Sequence, residues 1–212
     1  MSRLLRLGFL ASHEGTTMQA ILDACLGGRL EVDPVLLVHN NAEAPCAERA
    51  RRAGVPTRHL SGCTHPDPDA LDAAILEALV EHEVGVVVLA GYMKKIGPRT
   101  LARFRGRILN THPALLPEFG GQGMYGRLVH EAVLAAEECE SGATIHLVDD
   151  EYDHGPIVAQ CRVPVLPDDS PESLAERVQK AERRLWVDTL QAIASGSIRL
   201  DAPAEGGPGS TP

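Results

Sequence analysis

Short runs of consecutive apolar residues alternate along this chain with stretches in which apolar positions recur every three or four residues. The first kind reads as buried strand and the second as amphipathic helix. Leu5–Ser12 predicts a strand, followed by a helix over Thr17–Leu26 that stops at Gly27-Gly28. Pro34–His39 predicts a second strand, Ala44–Ala53 a helix with Pro45 in its first turn, and Thr57–Leu60 a brief third strand. Asp67–His82 has helical spacing at Leu71, Ile75 and Leu79. Val84–Ala90 has no polar alternation, which predicts a strand covered on both faces. A short helix at Pro98–Phe104 and a strand at Arg107–Asn110 complete this part.

The strand–helix rhythm predicts an α/β fold with a doubly wound, mostly parallel sheet. The later part changes character. Arg127–Ala136 reads as helix, and Thr144–Val148 and Ile157–Val165 as paired strands around a turn at Asp149–Pro156. Ser173–Ala194 reads as one long final helix capped by Ser170 or Asp169 ahead of Pro171. The sheet is therefore expected to end in an antiparallel C-terminal portion. Residues 1–200 form one expected domain, and 201–212, rich in Pro, Gly and Ala, an expected disordered tail.

Composition narrows the function classes. A formal charge of −9 argues against general nucleic-acid binding, which depends on Lys and Arg meeting phosphates. Five scattered cysteines without a CxxC pair fit a reduced, cytoplasmic protein better than a disulfide framework or a zinc site. The longest apolar stretch, Val84 to Met93, is half the length of a membrane span. Aromatics are only 3 %, so the core must rest on aliphatic side chains.

Four segments carry candidate chemistry. Asn110-Thr111-His112-Pro113 leaves a buried strand at its carboxyl end, where parallel sheets bind ligands. Asn110 and His112, two apart on extended chain, face one site. An amide can donate to a developing oxyanion, and an imidazole exchanges protons near neutral pH. Taken alone, the tetrapeptide fits a capped strand and a satisfied loop histidine better. The segment from Asp149 to Pro156 crowds Asp149, Asp150, Glu151 and Asp153 beside Tyr152 and His154. A carboxylate from it could orient His112, or the segment could be a solvated turn. Its spacing matches neither a calcium loop nor a zinc motif.

Ser12-His13-Glu14-Gly15-Thr16-Thr17 joins the first strand to the first helix, where free N–H groups suit a phosphate. It is neither GxGxxG nor a Walker loop. Thr16 is the expected helix cap, and Glu14 should point away from any bound phosphate. Gly91-Tyr92-Met93-Lys94-Lys95-Ile96 follows the buried strand, and its apolar lining with two cations could hold a flat heterocycle bearing carboxylates.

Together these segments resemble the folate-dependent phosphoribosylglycinamide formyltransferases of purine synthesis, over about Leu5 to Leu200. The most specific parts are Gly-Arg-Ile-Leu-Asn-Thr-His-Pro-Ala-Leu-Leu-Pro at 106–117 and Gly-Ala-Thr-Ile-His-Leu-Val-Asp-Asp-Glu-Tyr-Asp-His-Gly-Pro at 142–156. The resemblance implies a formyltransferase-type Rossmann-like fold and Asn110, His112 and Asp153 as the catalytic trio. It implies Gly15, Thr16 and Thr17 at the substrate phosphate, and Gln179 and Glu182 at the ribose. Met93, Lys94, Lys95 and Ile96 would build the folate pocket with Asn110, Asp149, Asp150, Glu151, Tyr152 and Asp153. The implied cosubstrate is 10-formyltetrahydrofolate, with no metal. The implied partners are small molecules, with no nucleic acid and no membrane, for a monomer or homodimer.

The chain departs from the family at His13-Glu14, where a glycine-rich phosphate loop is usual, and at Asp67-Pro68, where some relatives carry an arginine. The Gly-rich loop Glu118–Gly126 is longer than the common bacterial form and reads as a mobile flap. Other readings of the same motifs are a formyltetrahydrofolate hydrolase, a formyltransferase for a nucleotide sugar or initiator tRNA, and a non-catalytic folate- or nucleotide-binding module.

Overall fold

The computed structural model describes residues 4–200. The expected 201–212 tail lies outside them. Seven strands form one sheet in the order β3-β2-β1-β4-β5-β6-β7. β1 (Leu5–Ala11), β2 (Val32–His39), β3 (Thr57–His59), β4 (Val86–Leu89) and β5 (Ile108–His112) run parallel. β6 (Glu140–Leu147) returns antiparallel to β5, and β7 (Ile157–Pro164) antiparallel to β6. The chain winds from β1 outward to β3, then crosses to β4 on the other side of β1. The switch point, and with it the expected ligand crevice, lies between the carboxyl ends of β1 and β4.

Period-two alternation splits the core into two layers. Leu7, Phe9, Val86, Val88 and Leu109 face one cluster, with Met18 and Ile21 of α1 (Thr16–Leu26) and Trp186 and Leu190 of α6 (Pro171–Ala194). α2 (Pro45–Arg52) adds Cys46 and Ala50 to that side. Leu10, Val87, Leu89 and Ile108 face the other, with Ile75 and Leu79 of α3 (Pro68–Glu81) and Leu101 of α4 (Pro98–Arg103). α5 (Arg127–Ala135) reaches α6 through Val133, which clusters with Leu174 and Val178.

α3 and α4 are joined by a buried polar contact. Asp72, only 4 % exposed, accepts from the N–H groups of Arg99 (2.7 Å) and Thr100 (3.1 Å) and from the Thr100 hydroxyl (2.6 Å). These are first-turn donors of α4, which Gly97 at the cap position cannot satisfy with a side chain.

Element boundaries differ from expectation where pairing decides them. β6 begins at Glu140 rather than Thr144, because Glu140 to Ala143 pair with Cys161 to Pro164. The cap of α1 is Gly15, not Thr16. Gly15 holds φ at +63°, a conformation that costs a threonine far more, so Thr16 becomes the first helical residue. α6 starts at Pro171, and of the two expected caps Ser170 takes the role in a reciprocal box with Ser173. Among the described residues, no helix is long and apolar enough to cross a membrane.

Candidate active site

The carboxyl ends of β1 and β4 are stitched together by Ser12. Its N–H donates to the Gly91 carbonyl (3.1 Å), and its hydroxyl accepts from the Met93 N–H (2.8 Å). This contact sets the loops at 12–17 and 91–96 against one cavity of about 1040 Å³. The volume lies at the upper end for small-molecule sites, enough for two ligands of modest size. One wall is apolar, from Leu89, Ala90, Ile96 and Val148.

Asn110 and His112 leave β5 on the same face and line the cavity. His112 is 3 % exposed. Its Nε2 lies 2.7 Å from the Phe119 carbonyl, which can only accept, so Nε2 carries a hydrogen and donates. Its Nδ1 lies 3.3 Å from Oδ2 of Asp153. Both ring nitrogens thus face acceptors, an arrangement satisfied by an imidazolium.

Asp153 sits at φ +56°, a strained conformation for an aspartate. Its Oδ2 also accepts from the Gly121 N–H (3.0 Å), and its Oδ1 lies 3.4 Å from Nε2 of His146. Burial pushes the Asp153 carboxyl upward, but the hydrogen bond from His112, the His112 charge and the Gly121 N–H outweigh it. The net effect holds the carboxyl well below the usual carboxylate range, so Asp153 is ionised at neutral pH.

His146 was not singled out in the sequence. It is 2 % exposed and pairs across the β5–β6 ladder with Asn110. Its Nδ1 lies 2.9 Å from the Leu147 carbonyl, which assigns a hydrogen there and leaves Nε2 to accept from the Asn110 amide at 3.2 Å. One Asn110 N–H is thereby held and the second is free for the cavity. The antiparallel register is what puts this histidine in place; alternation within Thr144-Ile145-His146 is the signal that could have found it. Thr144 braces the chain after His112. Its hydroxyl donates to the Ala114 carbonyl (2.6 Å) and accepts from the Leu116 N–H (3.0 Å) and Gln160 Nε2 (2.9 Å).

The other expected residues divide around this centre. Gly15, Thr16, Thr17, Gln179 and Glu182 line the α1–α6 side of the cavity. The α1 first turn has no side-chain cap and no acidic residue, leaving its N–H donors open to an anion. Glu14 is 62 % exposed on its side chain and pairs with Arg49 at 3.5 Å, which offsets its charge. The Thr17 hydroxyl donates to Glu182 (2.9 Å). Burial pushes the Glu182 carboxyl up, opposed by that hydrogen bond and by Arg183.

Met93, Lys94, Lys95, Ile96, Asp149, Glu151 and Tyr152 line the opposite side with Asp153. Lys95 Nζ lies 5.9 Å from the Tyr152 ring centre. Asp150 is exposed and off the cavity wall, because Asp149 turns the chain by accepting from the Glu151 N–H (3.0 Å). Gly121 to Gly126 also line the cavity, and Arg127 ties the start of α5 to Glu172 at the start of α6 (2.5 Å). Among the described residues, no group of three or more His, Cys, Asp or Glu is placed to hold a metal ion.

A Rossmann-like sheet whose switch-point cavity holds an amide, an imidazole and an ionised carboxylate defines an α/β enzyme scaffold of the group-transfer type. The family described as Formyl transferase matches residues 5–190. Phosphoribosylglycinamide formyltransferase of Mycobacterium tuberculosis is 43 % identical over 196 residues, covering 92 % of this chain and 87 % of its own. The chloroplastic phosphoribosylglycinamide formyltransferase of Arabidopsis thaliana is 40 % identical, over 93 % of this chain and 68 % of its own. The crystal structure of glycinamide ribonucleotide transformylase 1 from Symbiobacterium toebii superposes with a TM-score of 0.85 at 38 % identity, over 92 % of this chain and 90 % of that one. The chain belongs to the formyl transferase family.

Proposed function

We propose that this protein transfers the formyl group of 10-formyltetrahydrofolate to the amine of 5'-phosphoribosylglycinamide, giving the N-formyl product and tetrahydrofolate in purine biosynthesis. Family membership and the names of its relatives support the reaction. The observation that carries the reading for this chain is the two-sided cavity meeting at Asn110, His112 and Asp153.

The α1–α6 side takes the acceptor. The α1 N-terminus at Gly15, Thr16 and Thr17 receives the phosphate, and Gln179 and Glu182 the ribose. The side built from Met93, Lys94, Lys95, Ile96, Asp149, Glu151 and Tyr152 takes the folate; the apolar wall suits a flat ring and the lysines suit its carboxylates. The bond from the formyl carbon to the folate N10 breaks, and a bond from that carbon to the acceptor nitrogen forms. The acceptor nitrogen loses one proton and N10 gains one. Asn110 donates its free N–H to negative charge developing on the formyl oxygen, and the positive His112 ring, two residues further along β5, stabilises that charge electrostatically. Asp153 stabilises the imidazolium and accepts hydrogen bonds on the proton's route.

The reading needs small molecules alone as partners, and places the protein in the cytoplasm as a monomer or homodimer. A spectroscopic assay of 10-formyl-folate turnover tests it. Turnover that requires glycinamide ribonucleotide is expected. Turnover without that acceptor, or none with it, removes the proposal.

A further inference from the structure

Two residues that line the cavity each carry a buried polar atom with no hydrogen-bond partner among the described residues: Thr111 at Oγ1 and His130 at Nδ1. Neither belongs to the trio or to the groups assigned above to phosphate, ribose or folate. A buried polar group without a partner costs stability, and the usual reason a protein keeps one at a cavity is that a ligand completes it.

Both face the same side of the sheet. Thr111 lies between Asn110 and His112, so its side chain leaves β5 on the opposite face from theirs. It pairs with Ile145, which packs in the layer of Trp186 and Leu190 of α6. His130 is 3 % exposed on α5, one turn before Val133, which packs on Leu174 and Val178 of α6. Gln179 and Glu182 project from that same helix into the cavity. The strand alternation therefore separates two tasks: residues 110 and 112 serve the reacting carbonyl, and residue 111 faces the acceptor.

We propose that the Thr111 hydroxyl and the His130 imidazole form a subsite that holds the glycinamide end of the acceptor against the trio. The proposal rests on the function stated above and adds to it the residues that select the acceptor's reacting end. The chemistry is complementary. A glycinamide presents a carbonyl oxygen, which accepts, and N–H groups, which donate. A threonine hydroxyl donates and accepts, and an uncharged imidazole nitrogen without a hydrogen accepts. Burial, then the nearby His112 charge, pushes the His130 pKa down, which favours the uncharged ring.

Steady-state kinetics and calorimetry on Thr111→Val, Thr111→Ser and His130→Gln test the subsite. Thr111→Val keeps the side-chain shape and removes only the hydroxyl. The expected result is an acceptor KM raised roughly tenfold, the worth of about one hydrogen bond, with the folate Kd within about twofold of the parent. Thr111→Ser, which restores a hydroxyl, should return most of the loss, which a purely structural role would not. His130→Gln should lower kcat/KM for the acceptor by about tenfold with folate binding kept. Unchanged acceptor KM in folded Thr111→Val and His130→Gln, or equal loss of folate and acceptor binding, overturns the subsite while the parent enzyme's formyl transfer stands. A parent protein that does not formylate glycinamide ribonucleotide overturns the function itself, and the subsite with it.

Discussion

Oδ2 of Asp153 lies 3.3 Å from Nδ1 of His112, and the same carboxylate oxygen takes the Gly121 N–H at 3.0 Å. One side chain thereby orients the His112 ring and anchors the glycine-rich loop beside it. Asp153→Asn should lower kcat by about two to three orders of magnitude, because an amide no longer balances an imidazolium. Acceptor KM should change less than tenfold. Stopped-flow and steady-state assays on the folded variant check this; unchanged turnover removes Asp153 from the mechanism.

His146 holds Asn110 through its Nε2 at 3.2 Å. His146→Phe fills the space without the acceptor, freeing the amide to rotate. A fall in kcat of roughly tenfold or more, with both KM values near the parent's, is expected for lost pre-organisation. Equal kcat in the two proteins would assign His146 to packing alone.

Gly15 combines φ +63° with close packing: a Cβ there would stand 2.6 Å from Cys46 Cβ. Gly15→Ala should cost at least about 1–2 kcal/mol from the left-handed conformation, and displace the first turn of α1. Urea unfolding reads the first effect, and a raised acceptor KM with unchanged folate KM reads the second.

The Glu182 carboxyl is pushed above its ordinary value of 4.5 by burial. The folded protein therefore holds that proton more tightly than the unfolded chain. The resulting stability is fully present below the unfolded pKa and is lost as pH rises through the folded pKa. Glu182→Gln keeps an oxygen for the Thr17 hydroxyl and removes the titration. Its Tm should exceed the parent's in alkaline buffer, and the advantage should shrink as pH falls. Melting curves from pH 5 to pH 9 check the sign, with Trp186, the single tryptophan, as the fluorescent reporter.

Asp72 serves three donors at the start of α4. Asp72→Ala strands them in a buried place and should cost about 3 kcal/mol or more. Asp72→Asn retains one acceptor oxygen and should cost less. Denaturant titrations rank the two.

The apolar runs and their helical interludes were enough to read the doubly wound sheet, because strand burial and helix amphipathicity are written in local periods of two and 3.6 residues. Asn110 and His112 were legible as a pair for the same reason: adjacency on one strand fixes a shared face. The cap of α1 was misread because Thr16 satisfies the usual capping chemistry, while the left-handed turn and the approach of Cys46 favoured Gly15. Asp150 was indistinguishable from its acidic neighbours until the turn at Asp149 set it outside the cavity.

The sequence by itself determined the layered architecture, the strand end that carries Asn110 and His112, and the family. Only the tertiary structure decided that His146 sits behind Asn110, that Asp153 joins His112 to the loop at Gly121, and that Thr111 and His130 both line the cavity. The reason is physical. Local pattern fixes which face of an element is buried, but the partner across that face depends on the β5–β6 register and on where α5 docks against α6. Those are set by the packing of residues distant in sequence, and no short window of the chain contains them.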